Sequence, residues 1–216
     1  MPLDPLSNVV SALERENVIP DVIPTFVPTH LFSILYPNGK EVLLGNEFRV
    51  DETVDEPAIS FAPINMPVEH ADNTVGDSEG GVQEPSYTLV MLDPDAPTHD
   101  NPEFRSFRHW VVTGLKSPAD PGSVSATSSS AALKTRAAVT PYRPPGPRPA
   151  SGSHRYTFLL FLEPPSATPL EIPLDAPEYR NELEQRRKWS AVDFAQQYGL
   201  AIVGANFLTI RAAEGA

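Results

Sequence analysis

Two aspartates, two histidines and an arginine stand at the ends of apolar runs, at spacings that can bring them together. Asp93-Pro94-Asp95-Ala96-Pro97 follows the run Tyr87–Leu92, Gly152-Ser153-His154-Arg155 leads into Tyr156–Leu162, and His109 opens a third run that ends at Leu115. Aspartates fixed between prolines at a strand's end suggest a preformed polar pocket rather than a flexible loop. Such a constellation could hold a metal, move a proton or bind a polar ligand. Metal ligation has little support: there is no His-x-x-x-His, His-Glu-x-x-His or EF-hand pattern and no cysteine, so neither metal nor cofactor is expected. Gly152-Ser153-His154 lacks the second glycine of a nucleophile turn, and Ser153 is adjacent to its supposed base, which disfavours a serine hydrolase. Gly146-Pro-Arg-Pro offers too few N–H groups for a phosphate loop. The i, i+2 spacing of Asp93 and Asp95 across a proline weakens paired-carboxylate acid–base catalysis. Arg155, beside the acidic turn, is expected to form a buried salt bridge with Asp95 or Asp93. His30, His70 and His99 have no evident partner and read as solvated or loop residues, and Glu182–Lys188 reads as a solvated helix face. Ala96–Pro97 is expected to be cis, the usual setting being a tight turn.

The elements that must position these groups are mostly strands. Leu6–Ile19 has apolar residues at helical spacing and is stopped by Pro20 and Pro24, which makes 1–19 an N-terminal helical segment. Leu31–Leu35 and Glu41–Leu44 flank Tyr36-Pro-Asn-Gly-Lys40, a hairpin signal. Ser60–Pro63, Tyr87–Leu92, His109–Leu115, Arg155–Glu163 and Leu200–Ile210 read as further strands. Their near-continuous apolar character implies burial on both faces or a sandwich core. Met66–Glu84 reads as a loop, and 116–136, rich in serine and alanine, as a flexible insertion. Pro141–Pro149 holds five prolines, enough for a stiff wall with few backbone donors. Pro177–Gly199 reads as helix, with Ser190 as an N-cap and Gly199 as a stop.

A chain of 216 residues fits a single domain over 1–216. Its 16 Lys and Arg against 28 Asp and Glu give −12, which disfavours nucleic acid and anionic membranes as partners. With no cysteine, thiolate chemistry and disulfides are excluded. Met1-Pro-Leu-Asp-Pro has neither a basic nor an apolar leader region, and no run reaches a membrane span. A cytoplasmic protein without integral membrane association is the expectation.

Asp93-Pro-Asp-Ala-Pro, then His109, then Gly-x-His-Arg at Gly152–Arg155, in this order and about sixty residues apart, resembles the phosphatidylethanolamine-binding protein family. The likeness runs from roughly Pro20 to Ile210. Pro20-Asp-Val-Ile-Pro24, the Tyr36–Lys40 hairpin and Val203-Gly-Ala-Asn-Phe207 look like fungal members related to the yeast carboxypeptidase Y inhibitor. The resemblance implies a mostly β protein, a β-sandwich with a few flanking helices near the termini. It also implies a small pocket for phosphate-, phosphorylethanolamine- or acetate-like groups. Carried over by position, Asp93, Pro97, His109, Gly146, Pro147, His154 and Tyr156 should line that pocket, with Asp95 and Arg155 as support. Phe104 and Phe107 stand where many animal members have Tyr and Trp, and Pro144 and Arg148 also depart from the pattern. The implied role is a binding and regulatory protein whose partner is a phosphate- or carboxylate-bearing ligand or phospholipid headgroup, with a serine carboxypeptidase as a protein target. The resemblance admits two other roles, an accessory to maleic-anhydride coupling in fungal polyketide pathways and a simple lipid-headgroup binder.

Overall fold

The computed structural model describes residues 6–64, 84–117, 131–166 and 169–214. The expected loop at 66–84 lies outside these except for Glu84, as does His70. Of the expected insertion at 116–136, residues 118–130 lie outside, while Lys116 ends one strand and Leu133–Lys134 form another. Eight strands follow in order: β1 His30–Leu35, β2 Glu47–Phe48, β3 Ala58–Pro63, β4 Tyr87–Asp93, β5 Phe107–Lys116, β6 Leu133–Lys134, β7 Ser153–Leu162 and β8 Ala201–Arg211. Strands β2-β8-β7-β4-β5-β6 form one sheet, and β1 pairs with β3 in a second. All pairings are antiparallel except β2 with β8.

The chain is thus mostly β, and the apolar runs do mean burial on both faces. On one face of the large sheet Leu89, Met91, Trp110, Phe158 and Leu208 pack against Ile34, Ile59 and Phe61 of the small sheet. On the other, Val90, Leu92, Val111, Leu159 and Phe207 pack against three helices: α1 Ser7–Arg15, α2 Val18–Asp21 and α3 Ala191–Tyr198. Strand alternation divides each run between two cores, so neither face reaches water.

Several expected elements are shorter. The N-terminal helix does not run to Ile19: Asn17 turns left-handed (φ 54°) and Ile19 is extended, which separates α1 from α2. Glu41–Leu44 is not a strand. Only Glu41 bridges to Leu35 and Val42 donates to Ile34, after which the Leu43 and Leu44 N–H groups donate to the side-chain carbonyls of Asn46 and Asn206. Two asparagine side chains therefore take the donors a ladder would need. Pro177–Gly199 is not one helix either, but 3-10 turns at Pro177–Tyr179 and Glu184–Arg186 followed by α3. Lys188 and Trp189 N–H donate to the carbonyls of Phe104 and Ser106, which draws this stretch into extended pairing. Only the last part has helical caps: Ser190 Oγ accepts from Asp193 N–H, and Gly199 closes it with φ 65°. β5 begins at Phe107, so His109 is its third residue rather than its start.

Candidate functional site

Asp93 ends β4 immediately after a shift in the β4–β5 register between Met91 and Leu92, an irregularity of the kind that re-aims a side chain. Asp93 Oδ1 accepts from the Asp95 N–H at 2.8 Å and Oδ2 from His154 Nδ1–H at 2.8 Å. Since a carboxylate can only accept, His154 must carry its proton on Nδ1. Its other nitrogen, Nε2, is 2.9 Å from Ser151 Oγ. Burial lowers the His154 pKa, but the hydrogen bond and charge of Asp93, together with the charge of Asp95, outweigh it and leave the pKa raised.

His109 is held differently. Its Nδ1–H donates to the Arg143 carbonyl at 2.7 Å, leaving Nε2 as the uncommitted nitrogen. Burial dominates and pushes its pKa down to about 4, against the opposing charge of Asp93, so it is neutral at pH 7. Tyr156 stands between the two imidazoles, edge-on to His109 at 5.2 Å and stacked on His154 at 6.2 Å. Burial and then the charge of Asp93 drive its phenol pKa far up, so the hydroxyl stays protonated and able to donate.

Asp95 faces away from these rings and is fully buried. It accepts from Arg155 Nε (2.9 Å), Nη2 (2.6 Å) and the Arg155 backbone N–H (2.8 Å). Arg155 also donates to Asp21 (2.9 Å) and the Glu16 carbonyl (2.9 Å), and Arg105 grips the same Asp21 with both terminal nitrogens and the Pro94 carbonyl with Nε. The expected salt bridge is therefore made with Asp95, and it extends into the α1–α2 segment. His99 is not partnerless, since its Nδ1 lies 3.2 Å from Asp95 Oδ1. His30 is not solvated: it is buried, bonded to Thr29 Oγ1 and Tyr87 Oη at 2.9 Å each. Ala96–Pro97 is cis.

Asp93, Pro97, His109, Gly146, Pro147, His154 and Tyr156 all line one cavity of about 170 Å³. That is well below the roughly 300–1,000 Å³ typical of drug-sized ligands, and it suits a small polar group. Three cationic residues absent from the sequence-based set of site residues share the lining: Arg143, Arg148 and Arg187. The Arg187 guanidinium lies 4.0 Å from the centre of the Phe104 ring. The side chains of Arg143 and Arg148 form no hydrogen bond or ion pair among the described residues. Behind the wall, Arg186 is buried and spends its Nη1 donors on the carbonyls of His109 and Pro141, both at 3.0 Å. It has no carboxylate partner among the described residues. So 182–188 is not a solvated helix face: Arg186 and Arg187 turn toward the site.

His154 has both ring nitrogens engaged inside the protein, so it orients Asp93 rather than offering a free donor to the cavity. The proline wall of 141–149 runs beside β5, bridged at Thr140 to Val111 and by Arg143 N–H to the His109 carbonyl. Arg143 and Arg148 alternate with its prolines, a pattern visible in the sequence. Arg187 had no such signal, because its approach depends on the non-helical turn before α3. Among the described residues no group of three or more His, Cys, Asp or Glu side chains could hold a metal ion, and no helix is long and apolar enough to cross a membrane.

A family model described as phosphatidylethanolamine-binding protein matches residues 40–207. An uncharacterized protein of Saccharomyces cerevisiae is 25% identical over 94% of both chains, and Protein SELF-PRUNING of Solanum lycopersicum is 28% identical over 80% of this chain and 81% of its own. Among solved structures, a phosphatidylethanolamine-binding protein from Plasmodium vivax is 27% identical with a TM-score of 0.65, covering 94% of this chain and 97% of its own. Carboxypeptidase Y inhibitor, solved in complex with its cognate proteinase, is 19% identical with a TM-score of 0.72 over 98% of each chain, a likeness of fold.

Proposed function

This chain belongs to the phosphatidylethanolamine-binding protein family, and from that membership and the chemistry of its cavity we propose that it is a binding and regulatory protein. Its ligand is a small phosphate- or carboxylate-bearing group, free or as a lipid headgroup, and its protein target is a serine carboxypeptidase. The observation that carries the reading is a 170 Å³ cavity lined by Arg143, Arg148 and Arg187 in a chain of net charge −12. Against an overall field that repels anions, only a local concentration of cationic donors can hold one, and two of these guanidiniums have no carboxylate partner among the described residues. The protonated Tyr156 hydroxyl adds a neutral donor, and Asp93 is turned toward His154 and the Asp95 N–H rather than left facing the ligand. The fold likeness to a carboxypeptidase inhibitor over 98% of each chain supports the protein target.

Calorimetry with inorganic phosphate, phosphorylethanolamine and phosphatidylethanolamine vesicles tests the ligand class and separates free anion from headgroup. Exposed guanidiniums are each worth up to about 1 kcal/mol, so Arg143→Ala with Arg148→Ala should weaken phosphate binding roughly tenfold. Arg15→Ala, on the exposed side of α1, should change nothing. Unchanged affinity in the double variant removes the anion site from this cavity. Titration against a fungal serine carboxypeptidase tests the target, and no inhibition at micromolar protein removes it.

A further inference from the structure

Ser151, His154 and Asp93 form an unbroken chain: Ser151 Oγ to His154 Nε2 at 2.9 Å, and His154 Nδ1 to Asp93 Oδ2 at 2.8 Å. Asp93 is itself fixed by the Asp95 N–H at 2.8 Å. The connectivity is that of a nucleophile, its general base and the carboxylate that sets the base's tautomer. The sequence-based objection to a serine hydrolase concerned Ser153, the immediate neighbour of His154. The folded chain presents Ser151 instead, three residues away, where a tight turn brings its hydroxyl back to the imidazole.

The turn is built for this. Ser151 stands between two residues of positive φ, Ala150 at 61° and Gly152 at 85°, and left-handed backbone is costly at a non-glycine position such as Ala150. It is pinned to the end of the chain by Ala150 N–H to the Ala213 carbonyl and Ala212 N–H to the Gly152 carbonyl, both at 2.8 Å. The N–H of Gly152, the residue after the serine, has no hydrogen-bond partner among the described residues, and this is the amide that stabilises an oxyanion in serine hydrolases. Gly152 is not crowded: a Cβ built there would make one ordinary contact, with His99 Cβ at 3.8 Å. Ser151 and Gly152 line a second cavity of about 500 Å³, together with Thr98, His99 and Asn17. It is distinct from the first cavity, whose lining includes His154 but neither Ser151 nor Gly152.

We propose that Ser151 is a catalytic nucleophile for small carboxylic esters that enter this second cavity. Ser151 Oγ attacks the ester carbonyl carbon while His154 Nε2 takes the hydroxyl proton. The C–O bond to the alcohol breaks, the alcohol leaves with that proton, and an acyl-serine remains. Water then attacks the acyl carbon, gives a proton to His154, and releases the carboxylic acid as the proton returns to Ser151 Oγ. The only co-reactant is water. This inference does not rest on the anion reading, since the two cavities share no lining residue.

A fluorophosphonate probe tests it directly. Attack by Ser151 Oγ forms an O–P bond and expels fluoride, leaving a stable mass increase. Intact-mass analysis of the native full chain should show one adduct, and peptide mapping should place it on Ser151. Ser151→Ala should abolish labelling, Ser153→Ala should leave it unchanged, and His154→Gln should slow it about a hundredfold or more, the scale of a lost general base. Hydrolysis of p-nitrophenyl acetate should follow the same order. Heat-denatured protein should not label. If Ser151 merely satisfies His154 Nε2, native protein stays unlabelled at Ser151 after overnight exposure to excess probe, and that result overturns the proposal. So does an adduct elsewhere that persists in Ser151→Ala. The mapping on unaltered protein decides the matter even if a variant fails to fold.

Discussion

Replacing Arg155 with methionine should destabilise this protein more than most single surface-to-core changes. Asp95 is fully buried, and Arg155 supplies it with two charged hydrogen bonds of 2.9 and 2.6 Å. Methionine fills similar space but leaves that carboxylate without its counter-charge. Removing one partner of a buried pair costs about 3–5 kcal/mol. The lost bonds to Asp21 and the Glu16 carbonyl add less, because Asp21 is partly exposed and keeps Arg105. In a chain of this size each kcal/mol lowers the melting temperature by about 2–4 °C, so Arg155→Met should melt roughly 6–20 °C below the parent at pH 7. Asp95→Asn combined with Arg155→Met should recover part of the loss, because no unpaired charge stays behind, and a double-mutant cycle by thermal melting reads the coupling. Two results would refute the reasoning: a shift of less than about 2 °C in the single variant, or an equal loss whether or not Asp95 is charged.

Protonation makes further predictions. When His154 is protonated its pair with Asp93 is neutral, and when it is not the pair carries −1 beside the cavity. Since the His154 pKa is raised above 6.5, sulfate, whose own charge is constant in this range, should bind more tightly at pH 5.5 than at pH 8.5. His154→Gln should remove that dependence, and a pH profile that survives the substitution would move the effect to another group. For stability, His109 works in the opposite sense to His154: its folded pKa of about 4 is below the ordinary 6.5, so its contribution is complete above 6.5 and lost as pH falls toward 4. At about 1.4 kcal/mol per unit this is on the order of 3 kcal/mol, and His109→Asn should flatten the acid limb of a urea-denaturation series by that amount. Asp21, whose pKa is lowered by Arg105 and Arg155 despite the raising effect of burial, adds stability that disappears only below the carboxylate range. Asp21→Asn should therefore be felt at pH 7 and vanish near pH 2 in the same series.

The large sheet was legible because its strands are buried twice over: Tyr87–Leu92 and Tyr156–Leu162 are too short and too uniformly apolar to be anything that reaches water. Part of the cavity was legible for a related reason, since Asp93, His154 and Tyr156 sit at the polar ends of those same strands and His109 lies near the start of β5. What could not be read were contacts that depend on side chains competing for backbone groups. Asn46 and Asn206 unmake a strand at 43–44, and Phe104 and Ser106 draw Lys188 and Trp189 out of a helix. Arg187 reaches the cavity only because that helix is absent. Ser151 escaped notice because a linear motif weighs the serine next to the histidine, whereas a left-handed turn decides which hydroxyl faces the ring.

The arginines in and behind the proposed anion cavity differ in their exposure to solvent, and this bears on ionic strength. Arg143 and Arg148 stand in solvent, where mobile ions at about 0.15 M screen charges beyond roughly 8 Å. Arg186 is buried among the carbonyls of Arg108, His109 and Pro141, where no mobile ion can reach it. Its field at His109 therefore persists at salt concentrations that silence the other two. Anion affinity plotted against salt should fall steeply at first and then level off, the plateau marking the part of the attraction that the protein has sealed away from its solvent.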